Sequence, residues 1–488
     1  MKKDIQRTEN ATASILWHDY ETWGTNPQLD FPAQFAAIRT DENLNIIGKP
    51  INWFCQIPND YLPNPEACLV TGITPQQSLR DGYIEAEFCK KVHAEMALAN
   101  TCTAGYNSIK FDDEVSRHMF YRNFYPVYER EYANGNSRWD IIDLVRAAYA
   151  LRPEGIQWPE YDDGRPCFKL EALSKANNIQ HESAHDALSD VYATIAIAKL
   201  IKEKQPKLFD FYWQLRQKHQ VAAQIDLANK KPFLYISGFI PAQQGACTWM
   251  MPVVQHPTNK NAVICIDLTK SIDTLLINDA NALQSAIFSK EKNDSRPGVQ
   301  MISINKCPFV APAKMLDKDK AVRLGIDRDK CLANYNQLKA LGYLESLLSD
   351  LYTHDKFQNK QPVETSENVD TLLYARDFPT YADKHWMEKV RNSSTESLCL
   401  MYDNTESELY RRQLFHYQGR NYPASFEHEM QEKWQQHRQH RFLLGGIENG
   451  SLSATEFLQK ISMLADSYAE DTKKIGLLKS LEVYLGSL

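Results

Sequence analysis

The first apolar runs of the chain are short, β-rich and divided by turn residues, the pattern of strands, whose side chains point alternately to two faces. SILWHDYET, PAQFAAIRTD and NIIGKPINWFCQI read as strands over 14–22, 32–41 and 45–57, and Asp41, Glu42 and Asn43 turn between the second and third, making a meander. The period then lengthens. Ile84, Phe88, Val92 and Met96 share a helical face and predict a helix over 83–98, followed by a short apolar strand over 101–106 that closes on Gly and Asn. Further helices are predicted over 114–124, 138–151, 170–177 and 187–203. Strands first, then a strand embedded among helices, predict an α/β domain.

Beyond this the pattern changes character. After a helix predicted over 207–219, PFLYISGFI, TWMMPVVQH, NAVICIDL and VQMISINKCPFVAP form short β-rich runs divided by turn residues, which predicts a small barrel or sandwich. THDKFQNKQPVETSENVD has the composition of a linker. The remainder, with HEMQEKWQQHRQHRFLL and SATEFLQKISMLADSYAEDTKK, reads as an all-α domain. The predicted boundaries are 1–203, 204–358 and 359–488, with no repeat at a fixed period.

Composition narrows the function classes. At 43% hydrophobic and 24% charged residues over 488 positions, the chain is too apolar for a disordered protein. No run approaches the roughly 18 apolar residues of a membrane span. The N-terminal MKKDIQRTENATAS has no apolar segment behind its lysines, so no secretory signal is read and a cytoplasmic location is expected. Ten cysteines are scattered without a C-x-x-C pair, which predicts free, mostly buried thiols. The formal net charge of −7 argues against a polyanion partner when taken alone. By segment it resolves into −9 over residues 1–200, +7 over 201–360 and −5 over 361–488, an acidic part joined to a basic one.

Three acidic clusters are candidates for chemistry. Asp19 and Glu21 are two apart on a strand, so both carboxylates share a face. Adjacent carboxylates repel unless a cation relieves them, and they suit hard ions such as Mg²⁺, although a solvated Asp-x-Glu has the same spelling. Asp112, Asp113 and Glu114 open a helix after GYNSIKF, where acids also answer the helix dipole. His185 and Asp190 stand five apart at the start of an apolar helix, close enough to face one point as general base and ligand, or simply to begin a capped helix.

Taken together, the order Asp, Glu, Asp, His, Asp resembles the histidine-bearing branch of the DEDD exonuclease superfamily, on an RNase H-like fold. The stretches HDYETWGTNP, FPAQFAAIRTD, LVTGITP, GYNSIKFDDEVSRHMFYRNFYPVYE, NSRWDIIDLVRAAYALRPEGIQWP and AHDALSDVYATIAIAKL are similar to the bacterial exodeoxyribonuclease I family. SGF, INKCP and RLGIDRDKCL carry the likeness through the middle segment, and it weakens in the last part of the chain.

The resemblance implies an RNase H-like α/β exonuclease domain, an SH3-like barrel and an all-α C-terminal domain. It also implies a 3′→5′ exonuclease that degrades single-stranded DNA to 5′-mononucleotides in repair and recombination. Asp19, Glu21, Asp112 and Asp190 would hold two Mg²⁺ ions, with Mn²⁺ as a substitute, and His185 would take the proton of the attacking water. Asp113 fits the pattern less well than Asp112. Glu21, Lys169, Arg117, Tyr128, Tyr132, Arg146, Lys218, Lys260 and Lys306 are the expected strand contacts, supplying rings and cations as sequence-independent binding of single strands requires. Lys169 stands where relatives carry an arginine, which keeps the charge without the bidentate fork. A nucleoid-associated monomer is expected, with the acidic tail of a single-stranded DNA-binding protein as partner.

The extra length beyond the first segment counts against a single-domain oligoribonuclease, an RNase T-like trimming enzyme or a proofreading subunit. The full set of five chemical residues counts against an inactive DNA-binding scaffold.

Overall fold

The computed structural model describes residues 12–179, 186–288, 297–353, 368–445 and 451–488. Two compact units emerge: Met1–Ser137 with Glu182–Tyr192 and Lys360–Leu488, and Arg138–His181 with Ala193–Asn359.

In the first unit, β1 (Ser14–Thr22), β2 (Pro32–Thr40), β3 (Ile51–Phe54) and β4 (Thr101–Gly105) lie in the order β3-β2-β1-β4. β1 and β2 are antiparallel with Asp19 opposite Ala36 and Glu21 opposite Gln34, and the register shifts between Glu21 and Thr22. β4 runs parallel to β1 and pairs with it only from Ser14 to Trp17. Beyond Trp17, β1 continues past the end of its parallel neighbour, and there Asp19 and Glu21 stand. Parallel strands leave ligand-sized crevices at their carboxyl ends, so the topology itself selects this edge.

The predicted third strand, 45–57, is shorter than expected. Gly48 turns with φ +83° and Pro50 lacks an amide donor, so pairing resumes only at Ile51. Two short helices, Pro65–Thr71 and Pro75–Asp81, were not predicted from periodicity; each has Pro in its first turn and a side-chain cap, from Asn64 and Thr74. The helix over Glu85–Met96 buries Phe88, Cys89, Val92 and Met96 against Leu16, Tyr20, Phe35 and Ala37 of the sheet. Full burial of each such side chain is worth about 1.5–3 kcal/mol.

Among the described residues the C-terminal part is helical apart from turns and a bridge residue at Ser451, and it completes this unit's core. Phe457, Ile461, Leu478, Leu481 and Tyr484 pack with Trp23, Phe31, Ile57 and Tyr61, while Leu372 and Leu373 cover Tyr121. A buried charge network joins the two parts. Arg420 donates to Asp60 at 2.9 Å and reaches Asp370 at 2.7 Å. Its guanidinium lies 5.1 Å from the Phe31 ring, and Arg122, paired with Glu85 at 2.6 Å, lies 4.2 Å from the same ring.

The second unit begins with a correction. The helix predicted over 138–151 is a strand, β5 (Ser137–Asp140), followed by a helix only from Ile142 to Leu151. The break comes at Asp140, whose carboxylate accepts the amide of Ile142. Trp139 is drawn into an aromatic cluster with Phe209, Tyr212 and Trp213, and tertiary burial overrides the helical spacing. The single helix predicted over 207–219 is two, Pro206–Gln214 and Lys218–Ala223.

β6 (Phe233–Ile236), β7 (Cys247–Gln255), β8 (Ala262–Asp267), β9 (Val299–Ser303) and β10 (Phe309–Pro312) form an antiparallel sheet in the order β10-β6-β7-β8-β9, as the short β-rich runs predicted. All ten cysteines are free, and nine are buried. Most of the stretch read as a linker, 354–367, lies outside the described residues.

Candidate active site

Strand pleating sends Leu16, His18 and Tyr20 to one face of β1 and Asp19 and Glu21 to the other. The first set is anchored: Tyr20 packs in the core and its hydroxyl meets Ser116 Oγ at 3.0 Å. The strand is therefore held by its apolar face while it presents two carboxylates on the opposite one.

β4 ends at Gly105, where a Cβ would come within 2.7 Å of the Ser108 side chain and 3.0 Å of the His18 carbonyl, so the chain can turn sharply only with glycine here. After a short turn over Ser108–Lys110 the helix Asp112–Arg122 begins, and its first residue bends back to β1. Asp112 Oδ1 accepts the Tyr20 amide at 3.1 Å, which sets this carboxylate beside the backbone between Asp19 and Glu21. Asp190 arrives from the helix Ala187–Lys204. One ligand atom each from Asp19, Glu21 and Asp190 lies within 4.8 Å of the others, and all three residues are half-buried. Among the described residues this is the group able to hold a metal ion.

The electrostatics agree with that geometry. Burial, then the carboxylates of Asp112, Glu21, Asp190 and Asp186, hold the Asp19 carboxyl well above the usual range. Burial and the charges of Asp190, Asp112 and Asp186 push Glu21 up to about 8. A raised carboxyl favours the folded state while protonated and loses that contribution as pH climbs toward the folded value. Metal-free protein is therefore expected to lose thermal stability between pH 6.5 and about 8, above the range in which the buried His18, His118 and His416 and the half-buried His93 titrate. Saturating Mg²⁺ should remove the slope and Glu21→Gln should flatten the metal-free curve. Melting curves in EDTA and in Mg²⁺ across that window check this; a flat EDTA curve for the unaltered protein contradicts it.

Other residues expected at the site fall in different settings. His185 lies outside the described residues, immediately before Asp186, whose carboxylate accepts the Ser189 amide at 3.2 Å and hydroxyl at 3.0 Å. Asp113 faces away from the cluster and pairs with Arg130 at 2.7 Å. Arg117 is buried and its guanidinium is engaged by Glu114 at 2.5 Å and Glu131 at 2.9 Å, with the Tyr128 ring 5.4 Å away. Tyr132 is exposed and Tyr128 half-buried.

In the second unit, Arg146 pairs with Asp143 at 2.6 Å and lies so close to Gly238 that a Cβ there would stand 2.7 Å from the guanidinium. Lys169 is exposed at the start of the helix Leu170–Ala176. Lys218, Lys260 and Lys306 are exposed around one end of the small sheet: Lys218 hydrogen-bonds Asn261, the neighbour of Lys260, and the Asn261 carbonyl accepts the Ile304 amide at 2.8 Å.

Sequence reading passed over Asp186 and Arg130. The first had a signal, since it starts a helix inside the quoted AHDALSD stretch. Arg130 had none, because Glu-Arg-Glu reads as solvated surface, yet its side chain is fully buried.

Three family profiles match the chain: Exonuclease over residues 16–198, Exonuclease I SH3-like domain over 216–354 and Exonuclease I C-terminal domain over 367–488. The exodeoxyribonuclease I of Haemophilus influenzae is 44% identical over 96% of this chain and 98% of its own length. That of Escherichia coli is 42% identical over 97% of each. The crystal structure of E. coli exonuclease I in complex with a dA16 oligonucleotide superimposes with a TM-score of 0.91 at 41% identity, over 98% of this chain and all of that one. Two further similar structures, both with a TM-score of 0.89 at 40% identity over 98% of this chain, are of SSB/exonuclease I with an inhibitor and of a zinc-bound E. coli ExoI–ssDNA complex; they are covered over 100% and 99% of their lengths.

Proposed function

The chain belongs to the exodeoxyribonuclease I family, and from that premise we propose that it removes 5′-mononucleotides from the 3′ end of single-stranded DNA at the Asp19, Glu21, Asp112 and Asp190 carboxylates. It is an exonuclease acting on single-stranded DNA. The observation that carries the site is the convergence of Asp19, Glu21 and Asp190 within 4.8 Å, with Asp112 on the adjoining Tyr20 amide.

This donor set fits hard divalent cations: it is all carboxylate, half-buried, and self-repelling without a counter-charge. Two Mg²⁺ ions, for which Mn²⁺ can substitute, would supply activation of the attacking water and neutralise charge at the leaving 3′-oxygen. Asp19, Glu21, Asp112 and Asp190 would be the residues that hold these ions. Glu21 also borders the terminal nucleotide. His185, directly before Asp186, accepts the proton of the water.

The strand is proposed to meet Tyr128 and Tyr132 as stacking faces and Arg117, Arg146, Lys169, Lys218, Lys260 and Lys306 as cations. Domain limits of 1–203, 204–358 and 359–488 are proposed for the exonuclease, SH3-like and helical parts. The basic middle segment gives the acidic tail of a single-stranded DNA-binding protein a complementary surface. No helix among the described residues is long and apolar enough to cross a membrane. We place the enzyme in the cytoplasm with the nucleoid, as a monomer active in DNA repair and recombination.

Assays on 3′- and 5′-labelled single strands test this, with Mg²⁺ or EDTA and with His185→Ala. Loss of product in EDTA, release from the 3′ end, and a drop of about 10²–10⁴-fold in the variant are expected. Short RNA and duplex ends should be poor substrates. Attack from the 5′ end, or activity indifferent to chelation, overturns the reading.

A further inference from the structure

The helix that carries Asp112 starts without a side-chain cap: Phe111 holds the capping position, and its side chain has no acceptor. Its orientation must come from elsewhere in the fold. Its first turn is held by Asp112 on the Tyr20 amide, by the Tyr374 hydroxyl on Glu114, and by contacts from the short turn Glu129–Glu131. Arg130, with its side chain fully buried, donates to Asp113 at 2.7 Å and to Thr103 Oγ1 of β4 at 3.1 Å, and its guanidinium is 5.9 Å from the Phe120 ring on the same helix. The adjacent Glu131 accepts two bonds from Arg117, at 2.9 and 3.0 Å, and Arg117 in turn holds Glu114. Asp113 is thus held directly by Arg130, Glu114 is linked to Glu131 only through Arg117, and Arg130 ties Asp113 to the strand that delivers the helix.

We infer that Glu129–Glu131 is a positioning clamp for the active site: Arg130 through Asp113, and Glu131 through Arg117, fix the turn that aims the Asp112 carboxylate at the metal position. This rests on the reading of Asp112 as a metal ligand. The geometry accounts for why Arg130 is buried at all. An unpaired guanidinium in the interior is expensive, and this one is compensated by an acid whose neighbour is the functional carboxylate. Replacing groups that orient a ligand without touching the metal typically costs about 10- to 100-fold in metal affinity or activity.

The experiment uses the full chain stripped of metal. Arg130→Met, Arg130→Lys, Glu131→Gln, the double variant Asp113→Asn with Arg130→Met, and Asp112→Asn are titrated with Mn²⁺ by calorimetry and in single-strand hydrolysis. In Arg130→Met the half-saturating Mn²⁺ is expected to rise about 10- to 100-fold, with kcat at saturating Mn²⁺ within about threefold of the parent. Arg130→Lys should recover part of the affinity, because a charge without the fork still meets Asp113. The double variant should regain folded stability without regaining Mn²⁺ affinity, separating fold from positioning. Should Arg130→Met not fold, Glu131→Gln carries the test, with an expected rise of about three- to tenfold.

Unchanged Mn²⁺ affinity in Arg130→Met or in a solely folded Glu131→Gln, while Asp112→Asn loses it, overturns the clamp and leaves the ligand assignment standing. Unchanged affinity in Asp112→Asn removes the assignment itself, and the clamp with it.

Discussion

Replacing Asp19 by Asn is expected to abolish exonuclease activity, by about 10³-fold or more, while raising the melting temperature of the metal-free protein. The two effects have one cause. Asp19 is half-buried beside Asp112, Glu21, Asp190 and Asp186, and desolvation together with their charges holds its carboxyl well above the usual range. Without a cation this repulsion strains the fold, and an amide of the same shape relieves it. On the proposed mechanism the same carboxylate would help hold the cations at the scissile phosphate. Activity on a labelled single strand and thermal melts in EDTA together check the prediction. If activity and metal-free stability fall together, the loss reflects damage to the fold and Asp19 is not a ligand.

The largest stability effect is expected far from this site, at Asp60. Its carboxylate is wholly buried, bonded to Arg420 at 2.9 Å and close to Arg441 at 3.5 Å and His437 at 3.4 Å. Despite burial, the charges of Arg420 and Arg441 hold it well below the ordinary carboxylate range. Asp60→Asn leaves two buried guanidinium groups with one acid, Asp370, and should cost about 3–5 kcal/mol. Arg420→Met should cost as much, since it strands both Asp60 and Asp370. Combining the two should cost less than their sum, because each removes the other's unpaired charge. Urea unfolding midpoints for the two single variants and the double variant measure this; simple additivity would show that the groups do not act as a network.

Because the network joins the loop after β3 to the helix Glu408–Asn421, these variants should also loosen the C-terminal helices. Phe31 extends that coupling, lying between the guanidinium groups of Arg122 and Arg420. The loop that leads from Glu21 to β2 ends at Phe31, so the helical part braces the strands that present the carboxylates.

Much of this was legible in the order of residues. The strand read over 14–22 is β1, and the two-residue period of a strand put Asp19 and Glu21 on one face. The run HEMQEKWQQHRQHRFLL is the helix His428–Leu444, and ten scattered cysteines became ten free thiols. These are local properties: strand pleat, helical period and the absence of paired spacings belong to neighbouring residues. Errors came where the environment outweighed them. Arg138 and Trp139 fit a helical period but pair into a strand, because the cluster around Trp139 buries more than a longer helix would. The helices after Asn64 and Thr74 were too short for periodicity, though Asn-Pro and Thr-Pro marked their starts.

The sequence by itself determined the kinds of chemistry available, the strand that would carry the first two carboxylates, and the division into α/β, small-sheet and helical parts. Only tertiary structure decided which acids work together. Asp112 and Asp113 are neighbours and spell the same helix start, yet one turns to the Tyr20 amide and the other to Arg130. Arg117 and Arg130 are both buried in ion pairs whose acids no local period picks out. The reason is the range of the forces involved. Backbone periodicity is set over a few residues, whereas the partner of a charge is chosen by whatever the fold brings within about 4 Å, from any distance along the chain.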